Sequence, residues 1–209
     1  WIHMVPEQNE VITSHGGPCS IMLEEAGPLL ARVKIEYRMM IPVGIEDEPG
    51  VDFREGDLNN TKRTAEKREM IVTSRCTLRA GSPRLDVTTS FENTCKHHRL
   101  RVVFPTRLDC DRTDSEACFD VIPRDIHVKE GNAYFRRPNP QYPMHRFVDM
   151  TDGQKGFALL NDSGLREYEA MDTADGPLAL TLMRAFTYRN SPVFGRWETY
   201  PDMDLAQCI

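Results

Sequence analysis

The stretch Ala31–Ile41, ARVKIEYRMMI, alternates apolar and charged side chains with a period of two. Successive side chains of a β-strand point to opposite faces of its sheet, so this period predicts a strand with one apolar face and one solvated face. The apolar positions are Ala31, Val33, Ile35, Tyr37 and Met39, and the charged ones are Arg32, Lys34, Glu36 and Arg38.

The same alternation recurs over residues 70–78 and 84–93. Further strands are predicted at 19–25, 98–104, 118–126, 145–150, 156–160, 165–171 and 177–187, each bounded by Gly, Pro, Asn or Asp. No stretch of ten or more residues has a helical stripe. Many strands without crossover helices predict an all-β fold of antiparallel sheets, and packing two sheets as a sandwich buries their apolar faces.

Two segments interrupt this pattern. Residues 44–66 are highly charged and almost free of apolar residues, which predicts a long exposed loop. Residues 127–143 combine three prolines with Tyr134, Phe135 and Tyr142. This composition suits a loop that packs over a sheet edge or one that lines a sugar groove.

Composition limits the classes of function. The 209 residues are enough for one domain, and 32 acidic against 26 basic residues give a net charge of -6. This charge argues against nucleic acid or an anionic membrane as a partner. The six cysteines include no C-x-x-C pair, so they predict reduced, mostly buried thiols, with Cys110–Cys118 the only plausible local bridge. Reduced thiols favour a cytoplasmic location.

The segment 95–105, CKHHRLRVVFP, brings a thiol, two imidazoles and two guanidinium groups together in sequence. In a strand, the neighbouring His97 and His98 point to opposite faces, so they are interpreted as residues at the strand entry rather than ligands of one metal. Cys95 has no predictable histidine to activate it as a nucleophile.

The two arginines of this segment are harder to assign. Arg99 and Arg101 share one strand face with no acid between them, so they either form ion pairs with neighbouring strands or contact an anionic or hydroxyl-rich ligand. Cross-strand ion pairs are the favoured interpretation. The acid pairs Glu24/Glu25 and Glu167/Glu169 are interpreted as solvated or ion-paired and not as catalytic.

Several ordered blocks resemble one family, the C-terminal β-sandwich region of family 38 glycoside hydrolases, the zinc-dependent α-mannosidases, especially the bacterial ones. The blocks are residues 27–44, 84–93, 93–106, 142–172 and 177–188. The resemblance implies a galactose-mutarotase-like supersandwich. It assigns residues 1–26 to an N-terminal segment with the first strand, and residues 27–209 to the sandwich domain.

The resemblance also implies a function. Such enzymes are retaining α-mannosidases in which one carboxylate attacks the anomeric carbon and a second carboxyl group acts as acid and then base. The resemblance places both groups and the zinc ligands in an N-terminal catalytic domain of the same polypeptide, so this chain is expected to hold no catalytic residue, metal or cofactor and to be inactive alone. Arg99, Arg101 and Tyr168 are its candidate donors to an α-mannoside at the domain boundary.

Other expectations concern the ends of the chain and its assembly. The family pattern continues beyond the last residues, DLAQCI, so the sandwich is expected to be incomplete at its C-terminus. A bacterial cytoplasm is the expected location, and a homo-oligomer is left open.

The residues leave two other functions open. A free-standing carbohydrate-binding sandwich would use Tyr134, Phe135, Tyr142 and Trp197 as stacking platforms for sugar rings. An independent hydrolase has no supporting constellation of residues in the sequence.

Overall fold

A computed structural model describes residues 9–46, 61–127, 141–162, 164–165, 167–173, 175–185, 188–191 and 196–199, the last two ranges for their backbone only. The regular elements of these residues are strands: β1 Cys19–Ala26, β2 Leu30–Pro42, β3 Lys67–Arg79, β4 Leu85–Phe91, β5 His98–Pro105, β6 Arg112–Glu116, β7 Val121–Asp125, β8 Gln141–Pro143, β9 Phe147–Thr151, β10 Gly156–Leu160, β11 Glu167–Ala170, β12 Pro177–Ala185, β13 Tyr188–Ser191 and β14 Arg196–Thr199. A helix able to span a membrane is not found among the described residues.

The chain divides into two compact units. Of the described residues, the first unit contains those from Asn9 to His97 together with β13 and β14. Its main sheet has the strand order β1-β2-β3-β4, and all neighbours are antiparallel. Strands β13 and β14 form a separate antiparallel pair. The prediction of a strand at 31–41 is confirmed by β2, which pairs with β3 along its whole length.

The second unit, His98–Ala185, is a two-layer sandwich. One sheet has the order β10-β9-β6-β7 and the other β5-β12-β11-β8. Residues from both sheets form one core, including the fully buried Val148, Met150, Tyr168 and Leu178. The predicted all-β antiparallel sandwich is therefore confirmed.

Contacts between the two layers of the second unit are both apolar and polar. The rings of Phe104 in β5 and Phe157 in β10 lie 5.4 Å apart between centroids. The hydroxyl groups of Tyr168 in β11 and Thr113 in β6 are 2.8 Å apart, so each satisfies the other in an interior where an unpaired hydroxyl would be destabilising.

The sequence prediction missed the strands β6, β8, β13 and β14, and it began β7 too early. Residues 118–126 were expected to be one strand, but β7 begins only at Val121, after a turn in which the amide of Ala117 donates to the carbonyl of Asp120. Strand β6 before it, RTDSE, was not predicted because it has no apolar residue. Its small polar residues Thr113 and Ser115 are nevertheless fully buried, which hydrophobic periodicity cannot reveal.

Some expectations fall on residues outside the described ranges. These are most of the predicted loops, residues 47–60 and 128–140, and the end of the chain after residue 199. Both ends of the first loop, residues 44–46 and 61–66, are described, and they are joined by an isolated bridge between Ile45 and Arg63. Strand β8 closes the second predicted loop and pairs with β11 at a sheet edge.

Candidate functional site

The arginines of β5 meet the glutamates of β11 on the outer face of their sheet. An oxygen of Glu169 lies 2.6 Å from Nη1 of Arg101 and 3.4 Å from Nη2 of Arg99, while Glu167 is 3.7 Å from Arg99. Because side chains alternate along a strand, Arg99 and Arg101 lie on one face of β5, and Glu167 and Glu169 lie on the same face of the sheet in β11. The favoured interpretation of cross-strand ion pairs is confirmed.

A third arginine joins this face because β12 contains a bulge. The register shifts between Thr181 and Met183, and after the shift Arg184 lies opposite Arg99. Without the extra residue, alternation would turn Arg184 toward the core. Nη1 of Arg184 is 3.3 Å from Glu167, and Nη2 donates to Gln141 over 2.8 Å. We call Arg99, Arg101, Arg184, Glu167 and Glu169 the arginine–glutamate cluster.

The cluster is largely shielded from water. Its side chains are between 10% and 25% exposed, with Arg184 the least exposed and Arg101 the most. Burial is the main cause that lowers the pKa of Arg99, and the neighbouring charge of Arg101 acts in the same direction. Three guanidinium groups against two carboxylates leave the cluster with one excess positive charge.

The structure separates Tyr168 from the arginines with which the sequence analysis grouped it. Tyr168 lies between Glu167 and Glu169 in β11, so alternation sends its ring to the opposite, interior face. It has no exposed surface, and burial raises the pKa of its phenol. A sugar hydroxyl could reach this phenol only if the core opened, so only Arg99 and Arg101 remain as candidate sugar contacts.

The histidines and cysteines singled out in the sequence contact the backbone, begin a strand or remain free thiols. His97 has a positive φ of 53°, and its carbonyl accepts a hydrogen bond from Nη1 of Arg63, while His98 begins β5. The Cys95 thiol is fully buried, 3.8 Å from the carbonyl oxygen of Ile41. Cys110 and Cys118 are free thiols.

The aromatic residues proposed as sugar platforms are described only in part. The guanidinium carbon of Arg124 lies 5.3 Å from the ring centroid of Tyr142, and the Tyr168 ring lies 5.9 Å away. Arg124 thus lies over the Tyr142 ring, where a stacked sugar would compete with it. Tyr134 and Phe135 lie outside the described residues, and for Trp197 only the backbone is described.

A second polar location in the same unit is a cleft of about 600 Å³. His127 lies on it and joins two loops: Nδ1 is 2.8 Å from Asp172 and Nε2 is 3.3 Å from Asp111. The hydrogen bond with Asp172 is the main cause that raises the pKa of His127. In the described part of the chain, no group of three or more His, Cys, Asp or Glu residues is arranged to hold a metal ion.

The described structure is all-β. Its second unit is a sandwich, and the arginine–glutamate cluster forms ion pairs between strands on the outer face of one sheet. Residues 1–203 match the model of the glycosyl hydrolases family 38 C-terminal domain. The chain belongs to this family, as its blocks of sequence implied.

Known proteins similar to this chain are much longer. A protein of Halalkalibacterium halodurans named "Putative mannosylglycerate hydrolase" is 25% identical over 201 residues, which are 94% of this chain and 21% of that protein. A crystal structure of an α-mannosidase from Enterococcus faecalis V583 matches 92% of this chain with a TM-score of 0.80 and 26% identity. A second Enterococcus faecalis structure, of a glycosyl hydrolase family 38 protein, matches 92% with a TM-score of 0.76 and 26% identity. The chain spans 21% and 22% of these two structures.

We expect Glu169→Gln to destabilise the domain by about 1–3 kcal/mol, because it leaves two shielded guanidinium groups with a neutral neighbour. Glu66→Gln is the matched control, since Glu66 and its partner Arg68 are 65% and 56% exposed. The control should change stability by no more than about 0.5 kcal/mol. Denaturant unfolding measures the free energy of unfolding of both variants. Equal losses for Glu169→Gln and Glu66→Gln would contradict the prediction that shielding from water makes the Glu169 ion pairs more stabilising.

The His127 contacts predict a pH-dependent stability. Because the pKa of His127 is raised in the folded state, its contribution is fully present below the unfolded pKa of about 6.5 and is lost as pH rises through the folded pKa. His127→Gln should therefore lower the melting temperature at pH 5.5 and have a smaller effect at pH 8.5. His15→Gln, which removes an exposed imidazole in the other unit, is the control. A loss for His127→Gln that is the same at both pH values would contradict the prediction.

Proposed function

We propose that these 209 residues form a non-catalytic domain of a retaining, zinc-dependent α-mannosidase. The observation that carries the proposal is the family match over residues 1–203 in a chain that spans about a fifth of the enzymes it resembles. In this proposal the nucleophile, the acid/base and the zinc ligands belong to an N-terminal catalytic domain of the parent polypeptide. This chain packs on that domain and completes it.

The contacts of Glu167 and Glu169 support this division of labour. A retaining glycosidase needs two carboxyl groups that face one sugar, one as nucleophile and one as acid and base. Glu167 and Glu169 are instead held by arginines, and the hydroxyl of Thr181 also donates to Glu167 over 2.8 Å. Each carboxylate would have to leave these contacts to act on a sugar.

The substrate proposed for the parent enzyme is a terminal α-mannoside. Two names among the similar proteins support it, an α-mannosidase and a mannosylglycerate hydrolase. A bacterial cytoplasm is the proposed location, with the free thiols of Cys19, Cys76, Cys95, Cys110 and Cys118 as support. The second candidate, a free-standing carbohydrate-binding module, has less support because Arg124 already lies over the ring of Tyr142.

The division of activity between chain and parent can be measured directly. With zinc present, the isolated chain should not hydrolyse an aryl α-mannoside or mannosylglycerate, whereas the parent enzyme should hydrolyse at least one of them. Calorimetric titration of the isolated chain with mannose and mannobiose should give no binding heat. Turnover by the isolated chain would refute the non-catalytic role, and a clear binding isotherm would favour the carbohydrate-binding module.

We further propose that Arg101, the most exposed member of the cluster, donates to a mannoside hydroxyl at the domain boundary, with Arg99 beside it. In the parent enzyme, Arg101→Gln should raise KM about tenfold, the loss expected for one hydrogen bond from a charged donor. Arg184→Gln is the matched control because Arg184 belongs to the same cluster with only 10% exposure. If neither substitution changes KM while both lower the melting temperature, the cluster is structural only.

A further inference from the structure

The β1–β4 sheet of the first unit has an apolar face that is open at one end. The strand register aligns Leu23 with Val33, Val33 with Cys76 and Cys76 with Val87, so one apolar row crosses all four strands. We call this the apolar β1–β4 face and define its open part by Ile21, Leu23, Val33, Leu78, Leu85 and Val87. Five of these side chains, all except Val33, are between 51% and 71% exposed.

The opposite face of the same sheet carries charged side chains that form ion pairs. Lys34 and Glu36 are 3.1 Å apart, and Arg75 and Glu24 are 3.2 Å apart. The charges of these side chains are paired with one another within the sheet, so this face does not need an apolar covering layer. The charged face also exposes Met22, Met40 and Ile71, but each of these is paired across strands with a charged residue. The larger gain in free energy therefore comes from covering the apolar face.

Burial changes along the apolar face in one direction. In β3, Met70 and Val72 are 1% and 6% exposed, whereas Leu78 on the same face is 51% exposed. The open part is therefore the continuation of a packed core. Isolated exposed apolar residues are common on proteins, but a continuous apolar area of more than a few hundred Å² marks a contact surface.

We propose that the open part of the apolar β1–β4 face is a docking surface, covered in the complete enzyme by apolar side chains of the parent polypeptide outside these 209 residues. This inference rests on the proposed function, in which the chain is one domain of a larger enzyme. The similar proteins contain about five times the length matched here, so they carry ample polypeptide to supply a second layer.

The size of the surface favours a segment of the same polypeptide over an independent protein. A stable complex between separate proteins buries about 800 Å² on each partner, with about 20–30 residues a side. The open part consists of only six apolar residues. A tethered domain needs less area, because the connection raises its effective concentration at the surface.

The test measures thiol accessibility in the full-length parent enzyme. Leu23 and Met22 are adjacent in β1, lie on opposite faces and are 62% and 60% exposed in this chain. Leu23→Cys and Met22→Cys are each treated with a maleimide, and the modified peptide is quantified by mass spectrometry. In the native enzyme, we expect Leu23→Cys to react about tenfold or more slowly than Met22→Cys, and in denaturant the two rates should be equal.

A second matched pair protects the test against a variant that does not fold. Val87→Cys lies on the apolar face of β4 and Thr88→Cys on the opposite face, and both native residues are exposed. Equal native rates within the pairs that fold would overturn the proposal. Protection that disappears on dilution would also overturn it, because the face would then be covered by a second copy or another protein.

The outcome is independent of the assay for the proposed function. Protection of Leu23→Cys in a parent enzyme without α-mannosidase activity would support the docking surface and refute the activity. Open thiols on an active α-mannosidase would refute only the docking surface.

Discussion

The alternation of side chains along β11 organises the second unit. In the sequence Glu167-Tyr168-Glu169-Ala170, the odd positions face outward to the arginines, and the even positions face the core between the sheets. The Tyr168 hydroxyl meets Thr113 of the opposite layer, while Glu169 binds both arginines of β5. This strand of four residues therefore connects the two layers through its inner face, and through its outer face it contacts three other strands of its own sheet. A register slip of one residue would break both sets of contacts.

The bulge in β12 is the second local feature with wide consequences. The segment PLALTLMRA is apolar except for Thr181 and Arg184, which are an odd number of residues apart. Regular alternation would leave one of them facing the core. The register shift between Thr181 and Met183 places both with the glutamates, and Met183 remains fully buried. A buried guanidinium group without a carboxylate would be strongly destabilising, so the bulge resolves a conflict inherent in the sequence.

Both units separate charge from apolar surface, but with different outcomes. In the second unit, the apolar faces of two sheets cover each other, and Val148 and Leu178 have no exposed surface. In the first unit, the β1–β4 sheet keeps its charged face paired and part of its apolar face open. In the proposed parent enzyme, further polypeptide would cover this face, because an apolar sheet face is stabilised when a second layer buries it.

The sequence alone determined the strands with strict alternation, such as β2, β3 and β4, and the pairing of arginines on one face of β5, because a period of two follows directly from strand geometry. It also carried the family, through blocks spread over the chain. It missed β6, whose buried residues are small and polar, and the short strands β8, β13 and β14. It also grouped Tyr168 with Arg99 and Arg101. Only the tertiary structure decided which face of β11 is interior, which acids meet the arginines and where Arg184 points. These depend on register and on one bulge, which arise from pairing between strands distant in sequence.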